Sequence, residues 1–185
     1  MFNEELISAK VAARNAGKIL MNHYKLSNKA VKMKGLDNPV TIADYKADKY
    51  LFNFLLSEFP DDGWLSEETV DTYERLDKTR VWIVDPLDGT KEFIEGIPHF
   101  AVSIALVYKN EPVVGVIYNP ATDEMFSCQR GKGVYLNGDK VFVSQKTNLS
   151  NSSITVSRSE VKRNEWEPYR NEFKSINPIG SVAYK

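Results

Sequence analysis

Two stretches near the N-terminus repeat apolar residues with the period of an amphipathic helix. In residues 4–24 the stripe consists of Leu6, Ile7, Val11, Ala13, Ile19, Leu20 and Tyr24. In residues 42–59 the i, i+3, i+4 spacing is followed by Ala47, Tyr50, Leu51, Phe54 and Leu55. Thr41 and Asp44 fit a capping box at the start of the second helix. We therefore predict two helices, joined by a polar connection rich in lysine.

From Arg80 onward, short apolar and alternating stretches predict strands instead. The predicted strands are 80–84, 101–108, 112–118, 123–128, 133–136 and 141–144, with turn formers such as Asn137-Gly138 between them. Residues 152–157 predict a further strand, and residues 160–174 a charged helix. The segment from Gly180 to Tyr184 has the pattern of a helix that has just begun.

This order of elements predicts an α+β fold in which a helix pair packs on an antiparallel sheet. Of the 185 residues, 42% are hydrophobic and 11% aromatic, enough to bury one core and part of a second. We place an α+β domain at residues 1–150 and the start of a second, α/β domain at residues 151–185.

Charge and composition exclude several classes of function. The net charge of −1 does not suit a protein that grips a nucleic acid polymer or an anionic membrane, although a small anionic ligand is compatible with it. There is no secretory leader pattern and no apolar run of membrane-spanning length, so we expect a cytoplasmic protein. The single cysteine, Cys128, excludes an internal disulfide, and the two histidines, His23 and His99, are too far apart to suggest zinc. Any metal would be held by oxygen.

Acidic residues in three short motifs are the candidates for chemistry. The stretch WIVDPLDGT, Trp82 to Thr90, leads from an apolar strand into Asp85 and Asp88. Earlier motifs are SEE at residues 66–68 and NPVTIAD, which ends at Asp44. Each also has a structural interpretation: an Asx-turn for the aspartate pair, a solvated loop for SEE, and helix capping for Asp44.

Taken together, the motifs favour a metal and phosphate site. Two carboxylates at a strand end and a third from a neighbouring loop suit a hard cation such as magnesium, which binds oxygen ligands, water and substrate phosphate. Gly89 and Thr90 then offer backbone N–H groups at a turn or helix start, where phosphate groups bind.

The motifs WIVDPLDGT, SEE and VTIAD, in this order and approximate spacing, resemble those of the magnesium-dependent, lithium-sensitive phosphomonoesterase superfamily of inositol monophosphatase. The resemblance extends from residue 4 to residue 185 and implies a layered αβαβα sandwich. The segment DPLDGTKEFI is more similar to the 3'(2'),5'-bisphosphate nucleotidase branch, because inositol monophosphatases more often have GTTNF there. The implied reaction is hydrolysis of adenosine 3',5'-bisphosphate to AMP, with inositol 1-phosphate as the alternative substrate.

The resemblance implies a site for two or three magnesium ions. Glu67 and Asp85, with the backbone carbonyl of Leu87, would bind the first ion. Asp85 would bridge to a second ion that Asp88 also holds.

The resemblance also implies the catalytic and phosphate-binding groups. Thr90, with Asp44 accepting its hydroxyl proton, would orient and activate the attacking water, and Gly89 and Thr90 would hold the phosphate. Glu67 would take part in catalysis through the first ion. Lys91 and Glu92 are either substrate contacts or a solvated pair on the first turn of a short helix.

One departure from the family pattern leaves alternatives open. The family completes its second metal site with an aspartate in a later WD motif, whereas Trp166 here is followed by Glu167-Pro168. We therefore expect a chain that corresponds to roughly the first two thirds of a family member. Such a chain is either a phosphatase or an inactive fragment that acts as a binding or assembly module, including as a homo-oligomer. Haloacid-dehalogenase-type phosphatases are a further alternative, but their DxDGT pattern is one residue shorter than DPLDGT.

Overall fold

The chain is represented by a computed structural model that describes residues 2–24, 31–35 and 38–185, with only the backbone described at 31–35 and 38–40. The helices are α1 Asn3–Tyr24, α2 Ile42–Glu58, α3 Thr90–Glu95 and α4 Arg158–Lys162. The strands are β1 Val31–Gly35, β2 Asn38–Thr41, β3 Gly63–Ser66, β4 Arg80–Asp88, β5 Ala101–Tyr108, β6 Glu111–Asn119, β7 Glu124–Gln129, β8 Gly133–Leu136, β9 Asp139–Val141, β10 Ser153–Ser157 and β11 Ser175–Ile179. Part of the lysine-rich connection after α1 lies outside the described residues.

Both predicted long helices are present, and the predicted capping box at α2 is confirmed. The Thr41 hydroxyl accepts the N–H of Ala43 at 3.1 Å, and the Asp44 carboxylate accepts the N–H of Thr41 at 2.9 Å. These bonds satisfy N–H groups that a helix start otherwise leaves without partners.

The main sheet has seven strands in the order β3-β4-β5-β6-β7-β8-β9. All neighbouring pairs are antiparallel except β3 and β4, which are parallel. The predicted α+β class is confirmed, but the sheet is mixed and not purely antiparallel. Sequence reading missed β3, because its two apolar residues, Trp64 and Leu65, are too few to show a strand period.

The helices cover one face of this sheet. Helix α1 packs on β5, β6 and β7, while α2 packs on β4 and on α1. Alternation along β4 shows which face is covered, since Trp82 and Val84 are buried and Ile83 between them is 41% exposed. At the N-terminal end of β4, Arg80 pairs with Glu5 at 2.9 Å and with Asp62 at 2.8 Å, which ties α1 and the turn before β3 to the sheet.

Strand β4 is longer than predicted and contains both aspartates of the DPLD segment. Its register with β5 shifts between Asp85 and Asp88. Pro86 lies inside this irregularity, where its missing N–H does not interrupt a ladder. The strand therefore carries the acidic residues on backbone that is fixed by pairing.

The C-terminal residues form a separate two-stranded sheet in which β10 and β11 are parallel. The predicted helix at 160–174 is wrong: α4 ends at Lys162, and Asn164 has a left-handed φ of +59°. Pro168 also lacks the N–H that a continuing helix needs there. Residues 182–184 form a turn, so the predicted start of a helix is not a helix. The division at residue 150 remains a prediction.

Of the helices in the described ranges, none combines the length and apolar character needed to cross a bilayer.

Candidate active site

The parallel pairing of β3 and β4 places Glu67 beside Asp85. Ser66 pairs with Val84, and the Glu67 N–H donates to the Val84 carbonyl at 3.3 Å. Glu67 directly follows β3, and Asp85 directly follows Val84 within β4, so the two acidic residues are neighbours across this parallel pair. The Glu67 carboxyl is close enough to Asp85 to raise the pKa of the Asp85 carboxyl. The single parallel pair of the sheet thus brings together two of the residues predicted to bind metal.

The electrostatic environment of Asp85 disfavours its ionised form. Burial, followed by the nearby charges of Glu67 and Asp88, raises the pKa of Asp85 from its ordinary value of 3.8 to about 8. A hydrogen bond from the Leu87 N–H to Asp85 Oδ1, at 3.0 Å, opposes this effect. Carboxylates crowded in this way are the oxygen donors that a hard divalent cation requires.

Thr90 and Asp44 form the second part of the site. The Thr90 hydroxyl lies 3.3 Å from Asp44 Oδ1 and 3.1 Å from the Leu87 carbonyl oxygen, so its one proton is shared between two acceptors. Asp44 Oδ2 accepts the Thr41 N–H and, at 2.5 Å, the Thr41 hydroxyl. Burial raises the pKa of Asp44, while the bonds from Thr41 and Thr90 oppose the increase. Asp44 therefore has both the capping contact and the contact with Thr90.

Gly89 is the N-cap of the short helix α3 and has a conformation that favours glycine. Its φ is +95°, and an added Cβ would lie 2.6 Å from the carbonyl oxygen of His99. Because the first turn of a helix leaves N–H groups without intrahelical partners, this turn presents donors beside Thr90. The geometry is compatible with the predicted phosphate contact.

Asp88 is covered by residues from the end of the chain. Its Oδ2 accepts the hydroxyl proton of Ser181 and, at 2.6 Å, the N–H of Ala183. No local sequence pattern indicates these contacts, because more than ninety positions separate the partners.

All the predicted site residues except Asp44 line one cleft of about 280 Å³. Its lining includes Glu67, Asp85, Leu87, Asp88, Gly89 and Thr90, together with Lys91, Glu92, Arg158, Ser181 and Lys185. Asp44 reaches the cleft through Thr90. Within the described ranges, no group of three or more His, Cys, Asp or Glu side chains is arranged to hold a metal ion. The predicted ligand set therefore stays a prediction, supported by its oxygen-donor chemistry and by the raised pKa of Asp85.

Asp48 was not predicted as a site residue, but it contacts the SEE motif directly. Its Oδ1 accepts the Ser66 hydroxyl proton at 2.5 Å, and its Oδ2 accepts the Thr69 hydroxyl proton at 2.6 Å. Asp48 is buried and lies one helical turn after Asp44, so the helical spacing was the only available signal.

Arg158, the first residue of α4, connects that helix to α3 beside the cleft. Its guanidinium pairs with Glu92 at 3.0 Å and with Glu95 at 2.7 Å, both on α3. This pairing answers part of the question about Glu92, because the Glu92 carboxylate is engaged by Arg158 and is not simply solvated.

Comparisons with known proteins agree with the motifs. The model of the inositol monophosphatase family matches residues 3–183. An inositol-1-monophosphatase of Rhizobium meliloti is 37% identical over 93% of this chain, and one of Caulobacter vibrioides is 45% identical over 70%. The solved structure of the extragenic suppressor protein suhB from Bartonella henselae superposes with a TM-score of 0.88, at 36% identity over 98% of this chain.

The matched relatives are longer than this chain. It spans 64% of the Rhizobium protein, 51% of the Caulobacter protein and 72% of the Bartonella chain. A family match over nearly every residue weighs against the haloacid-dehalogenase alternative. The chain belongs to the inositol monophosphatase family.

Proposed function

We propose that this chain carries the acidic centre of a magnesium-dependent phosphomonoesterase. The observation that carries the proposal is that Glu67 and Asp85 are neighbours across the parallel pair of β3 and β4, while Thr90 bonds to the buried Asp44. A phosphate ester seated at Gly89 and Thr90 would lie between these two groups. Family membership supports the same chemistry.

Glu67, Asp85, Asp88 and the Leu87 carbonyl would hold magnesium, which when bound would neutralise phosphate charge and make water more acidic. Asp44 would accept the Thr90 hydroxyl proton, leaving the Thr90 oxygen free to accept a proton from the attacking water. Burial strengthens Asp44 as a proton acceptor, because it raises the pKa of this carboxylate. The N–H groups at the start of α3 would orient the phosphate for in-line attack.

For the substrate we propose adenosine 3',5'-bisphosphate, on the basis of the Lys91-Glu92-Phe93 segment that follows Thr90. Lys91 lies on the cleft wall next to the proposed phosphate seat, where a cation would suit a second phosphate group. The names of the Rhizobium and Caulobacter relatives favour inositol 1-phosphate as the second candidate. The two substrates differ in charge, so Lys91→Gln should reduce kcat/KM more for the bisphosphate.

The test is phosphate release by the 185-residue protein in magnesium buffer, with the two substrates compared by kcat/KM. Asp88→Asn supplies the background rate. A preference for inositol 1-phosphate would overturn the substrate assignment but leave the proposed chemistry in place. Release by the wild type no faster than by Asp88→Asn would contradict the proposed activity of this chain.

Metal binding is measured separately by calorimetry. Asp85→Asn should weaken magnesium binding more than Glu68→Gln, because only Asp85 is assigned to both ions. Equal losses in the two variants would refute the ligand assignment.

A further inference from the structure

Helix α2 presents two buried carboxylates on one face. Asp44 and Asp48 are separated by four positions and are both buried. Asp44 contacts Thr90 at the start of α3, just after β4, whereas Asp48 contacts the segment that leaves β3. One rigid helix therefore touches both chain segments that carry the proposed metal ligands.

The contacts of Asp48 bracket Glu67. Its two oxygens accept protons from the hydroxyls of Ser66 and Thr69, on either side of Glu67 and Glu68. The Ser66 oxygen in turn accepts the N–H of Glu68 at 3.3 Å. The Glu67 backbone is thus held at both ends, although the residue itself is exposed.

The partners of Asp48 differ from those of the equally buried Asp62. Asp62 has the same 7% exposure and is paired with the guanidinium of Arg80. Within the described part of the chain, Asp48 has hydroxyl partners and no ion pair. Burying a carboxylate without a cation is unfavourable for folding alone, which points to a role in placing the segment that it holds.

We infer that Asp48 is a positioning residue for the metal-binding carboxylate of Glu67. By fixing Ser66 and Thr69, it orders the turn after β3 so that the Glu67 side chain faces Asp85. This inference rests on the proposed function, because it assumes that Glu67 binds magnesium. Residues that hold metal ligands in place typically contribute roughly 10–100-fold to metal affinity.

The experiment uses Asp48→Ala, with Asp62→Ala as the matched control. Both variants remove an equally buried carboxylate, but only Asp48 contacts the Glu67 segment. For each protein we would measure magnesium affinity by calorimetry, amide hydrogen exchange at residues 66–69, and Tm. We expect Asp48→Ala to bind magnesium roughly tenfold to a hundredfold more weakly. Amide exchange at residues 66–69 should also be faster in Asp48→Ala than in the wild type. Asp62→Ala should lower Tm but leave both magnesium affinity and this exchange rate unchanged.

Two milder variants keep the inference testable if Asp48→Ala does not fold. Thr69→Val removes one hydroxyl from an exposed residue, and Asp48→Asn keeps one acceptor oxygen. Both should lie between the wild type and the alanine variant in magnesium affinity.

The outcomes separate this inference from the proposed function. The role of Asp48 would be overturned if a folded Asp48 variant kept wild-type magnesium affinity and wild-type amide exchange at residues 66–69. It would also be overturned if Asp62→Ala changed both quantities to the same extent. A wild type that binds magnesium no better than Asp85→Asn would overturn the proposed metal site itself, and the inference with it. That result is seen before any Asp48 variant is made.

Discussion

Replacing Asp85 with asparagine is expected to stabilise the metal-free protein near neutral pH. Burial and the charges of Glu67 and Asp88 raise the pKa of Asp85 from 3.8 to about 8. Folding at pH 7 therefore forces this carboxyl either to take up a proton or to remain charged beside two other acids. Asparagine removes the charge but keeps an oxygen that can accept the Leu87 N–H.

The sign and size of the effect follow from proton linkage. Below pH 3.8 the Asp85 carboxyl is neutral in both the folded and the unfolded protein, so it does not lower the free energy of unfolding. As the pH rises, the unfolded chain releases this proton first. The free energy of unfolding therefore falls progressively until the pH passes about 8, where the folded protein releases the proton too. At about 1.36 kcal/mol per pH unit, the upper limit near pH 7 is about 4 kcal/mol. Relaxation around the site and residual structure in the unfolded chain make the actual effect smaller than this limit. We expect Asp85→Asn to raise the free energy of unfolding by about 1–3 kcal/mol at pH 7.

The assay is thermal and urea unfolding of the wild type and Asp85→Asn in EDTA between pH 5 and pH 8. Each kcal/mol corresponds to roughly 2–4 °C in Tm for a chain of this size, and the advantage of the variant should grow with pH. Added magnesium should raise the Tm of the wild type and have little effect on the variant. Glu58→Gln, at an exposed position on α2, controls for the loss of one negative charge. An Asp85→Asn protein that is less stable than the wild type in EDTA, or an advantage that does not change with pH, would refute the reasoning.

Three further variants test other parts of the site. Thr90→Val should lower kcat by about 10²–10⁴-fold with little change in Tm, because it removes the hydroxyl proposed to pass a proton to the buried carboxylate; an unchanged kcat would contradict that role. Gly89→Ala should destabilise the protein more than Gly138→Ala, since both glycines have φ above +90° but only at Gly89 would a Cβ meet another atom within 4 Å; equal losses of stability in urea unfolding would contradict the predicted clash. Arg158→Ala leaves the Glu92 side chain, which is 12% exposed, without its cation and should lower the free energy of unfolding by about 1–3 kcal/mol. Arg163→Ala, at an exposed arginine, is the control. An equal or smaller loss in Arg158→Ala would show that the Arg158–Glu92 pair contributes little to stability.

Most of the fold could be predicted from the sequence because its main elements have strong local patterns. Helices α1 and α2 have apolar stripes, and β5 and β8 were predicted with the bounds observed. The charged helix predicted at 160–174 does not form beyond Lys162, because Asn164 takes a left-handed φ and Pro168 has no N–H to donate. Strand β3 was missed because four residues do not establish a period.

The site was predictable only in part. The acidic motifs identified Glu67, Asp85 and Asp88 as candidates, and those three residues do line one cleft. Contacts made across long stretches of chain left no local pattern, as in the bonds from Ser66 and Ser181 to acidic side chains. The roles assigned to the acids, the bound ions, a cytoplasmic location and homo-oligomer formation remain predictions.

The arrangement of α2 suggests why the two halves of the site should respond together. Ala43, Ala47 and Leu51 are fully buried on this helix, and Asp44 and Asp48 are interleaved with them. The helix cannot rotate to change one acidic contact without moving the other and disturbing the core. Order in the Glu67 segment and orientation of the Thr90 hydroxyl are therefore coupled through the packing of a single helix. Variants at Asp44 and Asp48 should then give non-additive losses of kcat/KM for phosphate release in magnesium buffer, whereas independent supports would give additive ones.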